Sequence, residues 1–238
     1  MVGIARRIES RPVSSPAKNL ESGSHSAQKA PSGRTLPKPI LSPAKALELL
    51  LSHAPQGETW PIHCQQVARV ARCLADALLV AGAHLNPDDV EAQALVHDIG
   101  RSADHGHLHG WAGYQLMADI GHAATGRSCI THWLKGRSED ELLAAGVPDE
   151  LLSEAISNLD PPEWLLSDSV VSLADSSVAG KEIVPLSKRH DDLRQRYGSS
   201  KWLDRHAQLA EQHATQISDA LKHPVVDLLE PLYGTTFG

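Results

Sequence analysis

Beyond residue 42, apolar side chains recur at three- and four-residue steps, the period of helices packed on one face. Ser42-Pro43 reads as a helix start, an N-cap followed by proline in the first turn, with Ala44, Leu47, Leu50 and Leu51 at helical spacing behind it. From Pro61, His63, Val67, Val70, Leu74 and Leu78 share one stripe, and Gly82 supplies a C-cap. Asn86-Pro87-Asp88-Asp89 opens a third helix, a cap followed by acids that suit the positive end of the helix dipole. That helix runs through Val90, Ala94 and Leu95 into His97-Asp98-Ile99-Gly100, so His97 and Asp98 fall at its end. Further helices are predicted at 110–120, 127–134, 138–145, 149–158, 162–179, 187–197 and 200–221. No strand-like alternation of any length appears, and the fold class is predicted to be all-α.

Residues 1–41 break this pattern. They are rich in Ser, Pro and Lys, with too few apolar residues to offset the entropy of ordering, so a disordered tail is expected ahead of a catalytic helical domain spanning 42–238. The charge divides at nearly the same place. Residues 1–45 carry eight Lys or Arg against Glu9 and Glu21, or +6 of a total of −7, so the rest of the chain carries −13. An acidic globular part excludes broad electrostatic binding of duplex nucleic acid, which needs a basic face. Cys64, Cys73 and Cys129 are odd in number and form no CxxC pair, which fits reduced thiols rather than a disulfide framework or zinc knuckle. No run approaches the roughly 18–20 apolar residues of a membrane span. A cytoplasmic protein with no membrane partner is expected.

The chemistry is concentrated in a few polar residues on apolar faces. An adjacent His-Asp pair can bring an imidazole nitrogen and a carboxylate oxygen to one cation, leaving the second oxygen to bridge another. His97-Asp98 is such a pair, but in a chain with fourteen histidines the dipeptide alone carries little. Its context carries more. His63 lies on the apolar stripe of the preceding helix, and Asp175 sits in the otherwise bland run Val170-Val171-Ser172-Leu173-Ala174-Asp175. A lone histidine on an apolar face is ordinarily a core residue. Here a shared metal accounts for the burial of several polar groups at once.

The order His63, His97-Asp98, Asp175 resembles the H…HD…D pattern of the HD superfamily, specifically its HDIG branch. The run LVHDIGRSADHGHLHGWAGYQL, followed by ITHW, DELLAAGVP and VSLADSSVAGK, is similar to small archaeal-type HDIG-domain proteins and more distantly to bacterial HD-type symmetrical dinucleoside tetraphosphatases. The likeness spans roughly residues 45–200. It implies an HD-domain helical bundle and a metal-dependent phosphohydrolase. It also implies one ion on His63, His97, Asp98 and Asp175, and a second on Asp98, His109 and His132. Imidazole and carboxylate donors suit two first-row ions such as iron or manganese, which would activate a water for attack on phosphorus.

Around these ligands, Arg101 follows the motif where many relatives carry lysine, and is a candidate for catalysis and for gripping a substrate phosphate. Lys135, Arg137 and Lys181 are further phosphate-contact candidates, each with the ordinary alternative of a solvated charge. His105 and His107 crowd the loop before His109 and could also serve as ligands; the remaining histidines are expected at the surface or in packing. Trp111, Trp133 and Trp164 flank the metal histidines and are expected in the core. The expected partner is a small phosphorylated metabolite, nucleotide-like in kind; nothing points to an oligomeric state. Two other functions compete, a di-iron oxygenase on the same fold and a non-catalytic nucleotide-binding HD module.

Overall fold

A computed structural model of the chain describes residues 40–106 and 108–236. Residues 1–39 of the expected tail, and His107 among the candidate ligands, lie outside the described residues. Packing on the helical domain includes the two residues just before the expected boundary. Ile40 and Leu41 pack against the core, and the Leu41 N–H donates to Thr125 Oγ1 at 2.9 Å.

The described elements run α1 (Pro43–His53), α2 (Trp60–Val80), α3 (Pro87–Val96), a 3₁₀ turn (Ile99–Ser102), α4 (His109–Asp119), α5 (Ala123–Leu134), α6 (Glu139–Ala144) and α7 (Asp149–Ser157). They continue with α8 (Leu166–Ser176), β1 (Val178–Ala179), β2 (Glu182–Ile183), α9 (Leu186–Tyr197), α10 (Lys201–Leu221), α11 (Val226–Leu229) and a closing 3₁₀ turn (Glu230–Leu232). The fold is all-α, as expected. The starts have local causes: Ser42 Oγ accepts from the Lys45 N–H, Asn86 Oδ1 from Asp88, and Ser138 with Glu141 forms a reciprocal capping box.

The long helix α2 is the central post. Val67, Val70, Ala71, Leu74, Ala75 and Leu78 are fully buried between it and its neighbours α3 and α8. Helix α5 packs on both α4 and α3. Two short bonds fix α5 to α3: Ser128 Oγ donates to the Gln93 carbonyl at 2.7 Å, and Cys129 Sγ to that of Val96 at 3.2 Å. Gly110, Gly113 and Gly126 let α4 and α5 approach closely. A Cβ on Gly110 would stand 2.4 Å from Trp133 Cβ, and one on Gly126 2.6 Å from Met117 Cβ. These contacts set how near His109 on α4 comes to His132 on α5.

The expected helix over 162–179 is shorter at both ends. Pro161 and Pro162 precede it, and Leu165 stays extended because its N–H is taken by Asp168 Oδ2 at 2.8 Å. Asp168 also accepts two bonds from Arg127 Nε and Nη2 at 2.9 and 2.7 Å, a pair almost wholly buried between α5 and α8. After Ser176 the chain makes a two-stranded antiparallel ribbon that the helical pattern did not predict, Val178 paired with Ile183 and Ala179 with Glu182. Two apolar β-branched residues facing one another across the Gly180-Lys181 turn, where Gly180 has φ +61°, suit such a ribbon.

Candidate metal centre

Six side chains converge between α2, α4, α5, α8 and the end of α3. His63 comes from the first turn of α2, His97 and Asp98 from the junction of α3 with the 3₁₀ turn, His109 from the start of α4, His132 from the last turn of α5 and Asp175 from the end of α8. His63 Nε2 lies 3.1 Å from Asp175 Oδ1. His97 Nε2 stands 3.9 Å from both Asp175 Oδ1 and Asp98 Oδ2, in the middle of the constellation. Asp98 Oδ1 faces His109 Nε2 at 3.1 Å and His132 Nε2 at 3.3 Å, and those two nitrogens are 3.2 Å apart.

Two sets, His63 with His97 and Asp175, and His97 with Asp98 and His132, each bring three donor atoms within 4.8 Å of one another. His109 adds a fourth donor beside the second set. The sets share His97, and the two oxygens of Asp98 face different neighbours.

Three imidazoles are held from behind. The Nδ1 atoms of His97 and His109 sit 2.7 Å from the carbonyls of Ala94 and Gly106, and that of His132 3.1 Å from Cys129 O. A backbone carbonyl can only accept, so each ring carries its proton on Nδ1 and turns an Nε2 lone pair toward the centre. The fit to a cation then rests on atoms left without partners. His97 Nε2 and Asp98 Oδ1 are buried and form no hydrogen bond of proper geometry. Two Nε2 lone pairs 3.2 Å apart repel unless something positive lies between or beside them. Nitrogen and carboxylate donors in this arrangement suit a first-row divalent ion, and the residues present fit one.

The electrostatics agree. Burial holds His97 neutral, its pKa pulled down to about 3 despite the nearby Asp98. Burial alone would raise both carboxyls. The facing imidazoles of His109, His132 and His97 outweigh it at Asp98, and Lys135 with His63 outweighs it at Asp175, so both stay well below the usual carboxylate range. The centre therefore offers a neutral His97 and ionised carboxylates, the forms that bind metal.

The flanking cations separate into groups. Arg101 Nε donates to Asp98 Oδ2 at 2.6 Å, and its two terminal nitrogens bond no described residue. Lys135, expected as a phosphate contact, is buried; its Nζ donates to Asp175 Oδ2 at 3.1 Å and to the Ser172 carbonyl at 3.2 Å, so it orients a ligand. Lys181 sits exposed in the β1–β2 turn, outside the lining of the cavity over the centre. That cavity, about 490 Å³, also admits His105, Arg137 and Trp133. Trp111 is core, as expected, while Trp164 stacks on His213 with ring centres 5.4 Å apart. Sequence reasoning missed the residues that α9 and α10 bring to the same cavity: Arg189, Arg196, Trp202 and His206.

The HD domain family matches residues 62–222, a span that holds every one of the six converging side chains. The chain belongs to the HD-domain family. This HD domain is similar to an uncharacterised protein of Methanocaldococcus jannaschii, 26% identical over 142 residues that cover 58% of this chain and 77% of the relative. No solved structure matches the chain. The HD pair of the family's name is thus His97-Asp98, set at the one point where α3 ends and the backbone turns toward α4. Among the described residues, no helix is long and apolar enough to cross a membrane.

Proposed function

We propose that this HD domain is a metal-dependent phosphohydrolase acting on a phosphoester or phosphoanhydride of a nucleotide-like metabolite. The observation that carries the reading is the convergence of His63, His97, Asp98, His109, His132 and Asp175 on partnerless His97 Nε2 and Asp98 Oδ1, under a cavity whose walls are rich in arginine. His63, His97 and Asp175 would hold one divalent ion, and Asp98, His109 and His132 a second, with His97 near both. When bound, such ions neutralise charge on a transferring phosphoryl group and acidify a water toward neutral pH.

The chain's own residues do the rest. Carbonyls behind His97, His109 and His132 fix the tautomer that points each Nε2 inward. Lys135 pins Asp175 from behind, so the carboxylate is oriented before any ligand arrives. Arg101 holds Asp98 with Nε and keeps its terminal nitrogens for a phosphate oxygen, a charge-assisted bond aimed at the cavity. The arginines favour a phosphorylated substrate over an uncharged one.

A phosphate-release screen over nucleotides, cyclic nucleotides and dinucleoside polyphosphates, with Mn(II) and with Fe(II), tests this. Release that disappears on chelation and returns with metal is expected. Reconstituted protein that frees no phosphate from any of them, yet consumes oxygen with organophosphonates, overturns the hydrolase reading in favour of the oxygenase.

A further inference from the structure

One wall of the cavity is formed by residues that do no work in holding the metal ligands. Arg137 leaves the C-terminal end of α5, Arg189 and Arg196 project from α9, and Trp202 and His206 come from the first turns of α10; all five line the cavity. Arg137 is the telling member. It is 8% exposed, its guanidinium carbon lies 3.5 Å from the centre of the Trp202 ring, and Nη2 donates to the Trp202 carbonyl at 3.2 Å. Nε is buried with no partner, and no described carboxylate lies within 4 Å of the group. Glu141, the acid nearest in influence, is taken by Arg205 at 2.5 Å. A buried cation is ordinarily paired, because desolvation without compensation costs several kcal/mol.

The neighbours sharpen the imbalance. Arg189 and Arg196 share the single carboxylate of Asp192, and Arg189 Nε is also buried without a partner. The acids deeper in the cavity are already committed, Asp98 to Arg101 and Asp175 to Lys135 and His63. Glu58 is exposed. Three guanidiniums with one carboxylate among them leave this wall with a surplus of two positive charges in a protein whose net charge is −7. His206, Arg137 and Asp175 line the same cavity, so the wall and the converging His and Asp side chains border one space. At about 490 Å³ that space holds far more than a single phosphate.

We propose that Arg137, assisted by Arg189 and Arg196, forms a second anion subsite that takes a phosphate of the substrate other than the one at the metal ligands, so that the preferred substrates carry at least two phosphoryl groups. The inference deepens the phosphohydrolase reading, and its kinetic arm rests on that reading. Trp202 packs against the guanidinium where Arg137 lines the cavity; a planar fork of this kind matches two phosphate oxygens better than a point charge does.

Calorimetry with inorganic pyrophosphate, on the full chain stripped of metal and dialysed, tests the subsite apart from catalysis. The parent should bind, and Arg137→Gln should weaken binding at least about tenfold. Arg137→Lys keeps a cation but loses the fork and should also weaken it. Arg196→Gln, on a side chain about half exposed, should weaken it about threefold with little effect on folding. Parental affinity in a folded Arg137→Gln overturns the proposal. Should that variant not fold, parental affinity in both Arg137→Lys and Arg196→Gln overturns it. In the kinetic arm, the ratio of kcat/KM for a nucleoside diphosphate over the monophosphate should fall at least about tenfold in Arg137→Lys; an unchanged ratio contradicts the subsite. A parent that releases phosphate from no compound of the wider screen sinks the phosphohydrolase reading instead, and calorimetry then decides the subsite alone.

Discussion

At position 100 a single added methyl group would disturb the convergence of these side chains. A Cβ there would lie 1.9 Å from the His109 carbonyl and 2.4 Å from the Gly113 nitrogen, backbone atoms that cannot swing aside. Gly100→Ala must push α4 away from the 3₁₀ turn, and His109 travels with α4. We expect a loss of about 1–3 kcal/mol in denaturant unfolding, together with reduced metal content by elemental analysis. Parental values in both would show that the junction is softer than the packing implies. The converging side chains were legible because polar groups on apolar faces are costly to bury without a shared partner, and because His97-Asp98 stands at a helix end that apolar spacing could locate. The reason for the glycine was not, since it depends on a carbonyl nine residues away. The setting of Lys135 was hidden for a similar reason: its partner Asp175 lies 40 positions on, and only packing reveals that the ammonium is buried against it.

Among the elements, α5 and α8 matter most, for they present His132 and Asp175 from opposite sides. The Arg127–Asp168 pair bolts them together, and Arg127 Nη2 also donates to the Glu163 carbonyl at 2.8 Å, tying down the segment before α8. Arg127→Ala leaves Asp168 buried and unpaired, at an expected cost of about 3–5 kcal/mol in urea unfolding. Replacing both residues with apolar ones should recover most of it, whereas equal losses in the single and double variants would mean that packing, not charge, is at stake. Helix periodicity recovered most elements because each buries a stripe of regular spacing. It overran α8 because the signals ending that helix are tertiary: an aspartate bound by an arginine from another helix, and a two-residue ribbon too short to alternate.

Over the whole molecule, burial of histidine ties stability to pH. His190 and His213 are pushed down to about 4 and His206 to about 2, chiefly by burial, against an unfolded value of about 6.5. The unfolded chain therefore binds more protons below about 6.5, so stability falls as pH drops from there toward about 4. Thermal melts of metal-free protein should show this decline, and His213→Gln should make it shallower between about pH 6.5 and 5; an identical slope would remove His213 from the linkage. The arginine wall belongs to this scale too. Its members come from α5, α9 and α10, in an acidic chain whose overall charge points away from phosphate, and nothing in their separate sequence contexts announces that they meet. What unites wall, cavity and converging side chains is the proposed metal centre, organised about Asp98 with Oδ1 toward His109 and His132 and Oδ2 toward His97 and Arg101. Asp98→Asn preserves volume and removes the charge. Elemental analysis of this variant beside the parent, both reconstituted anaerobically with Fe(II) or Mn(II), tests the account most directly: bound metal should fall below about half of the parental content, and a folded Asp98→Asn protein carrying the parent's full complement of metal would contradict it.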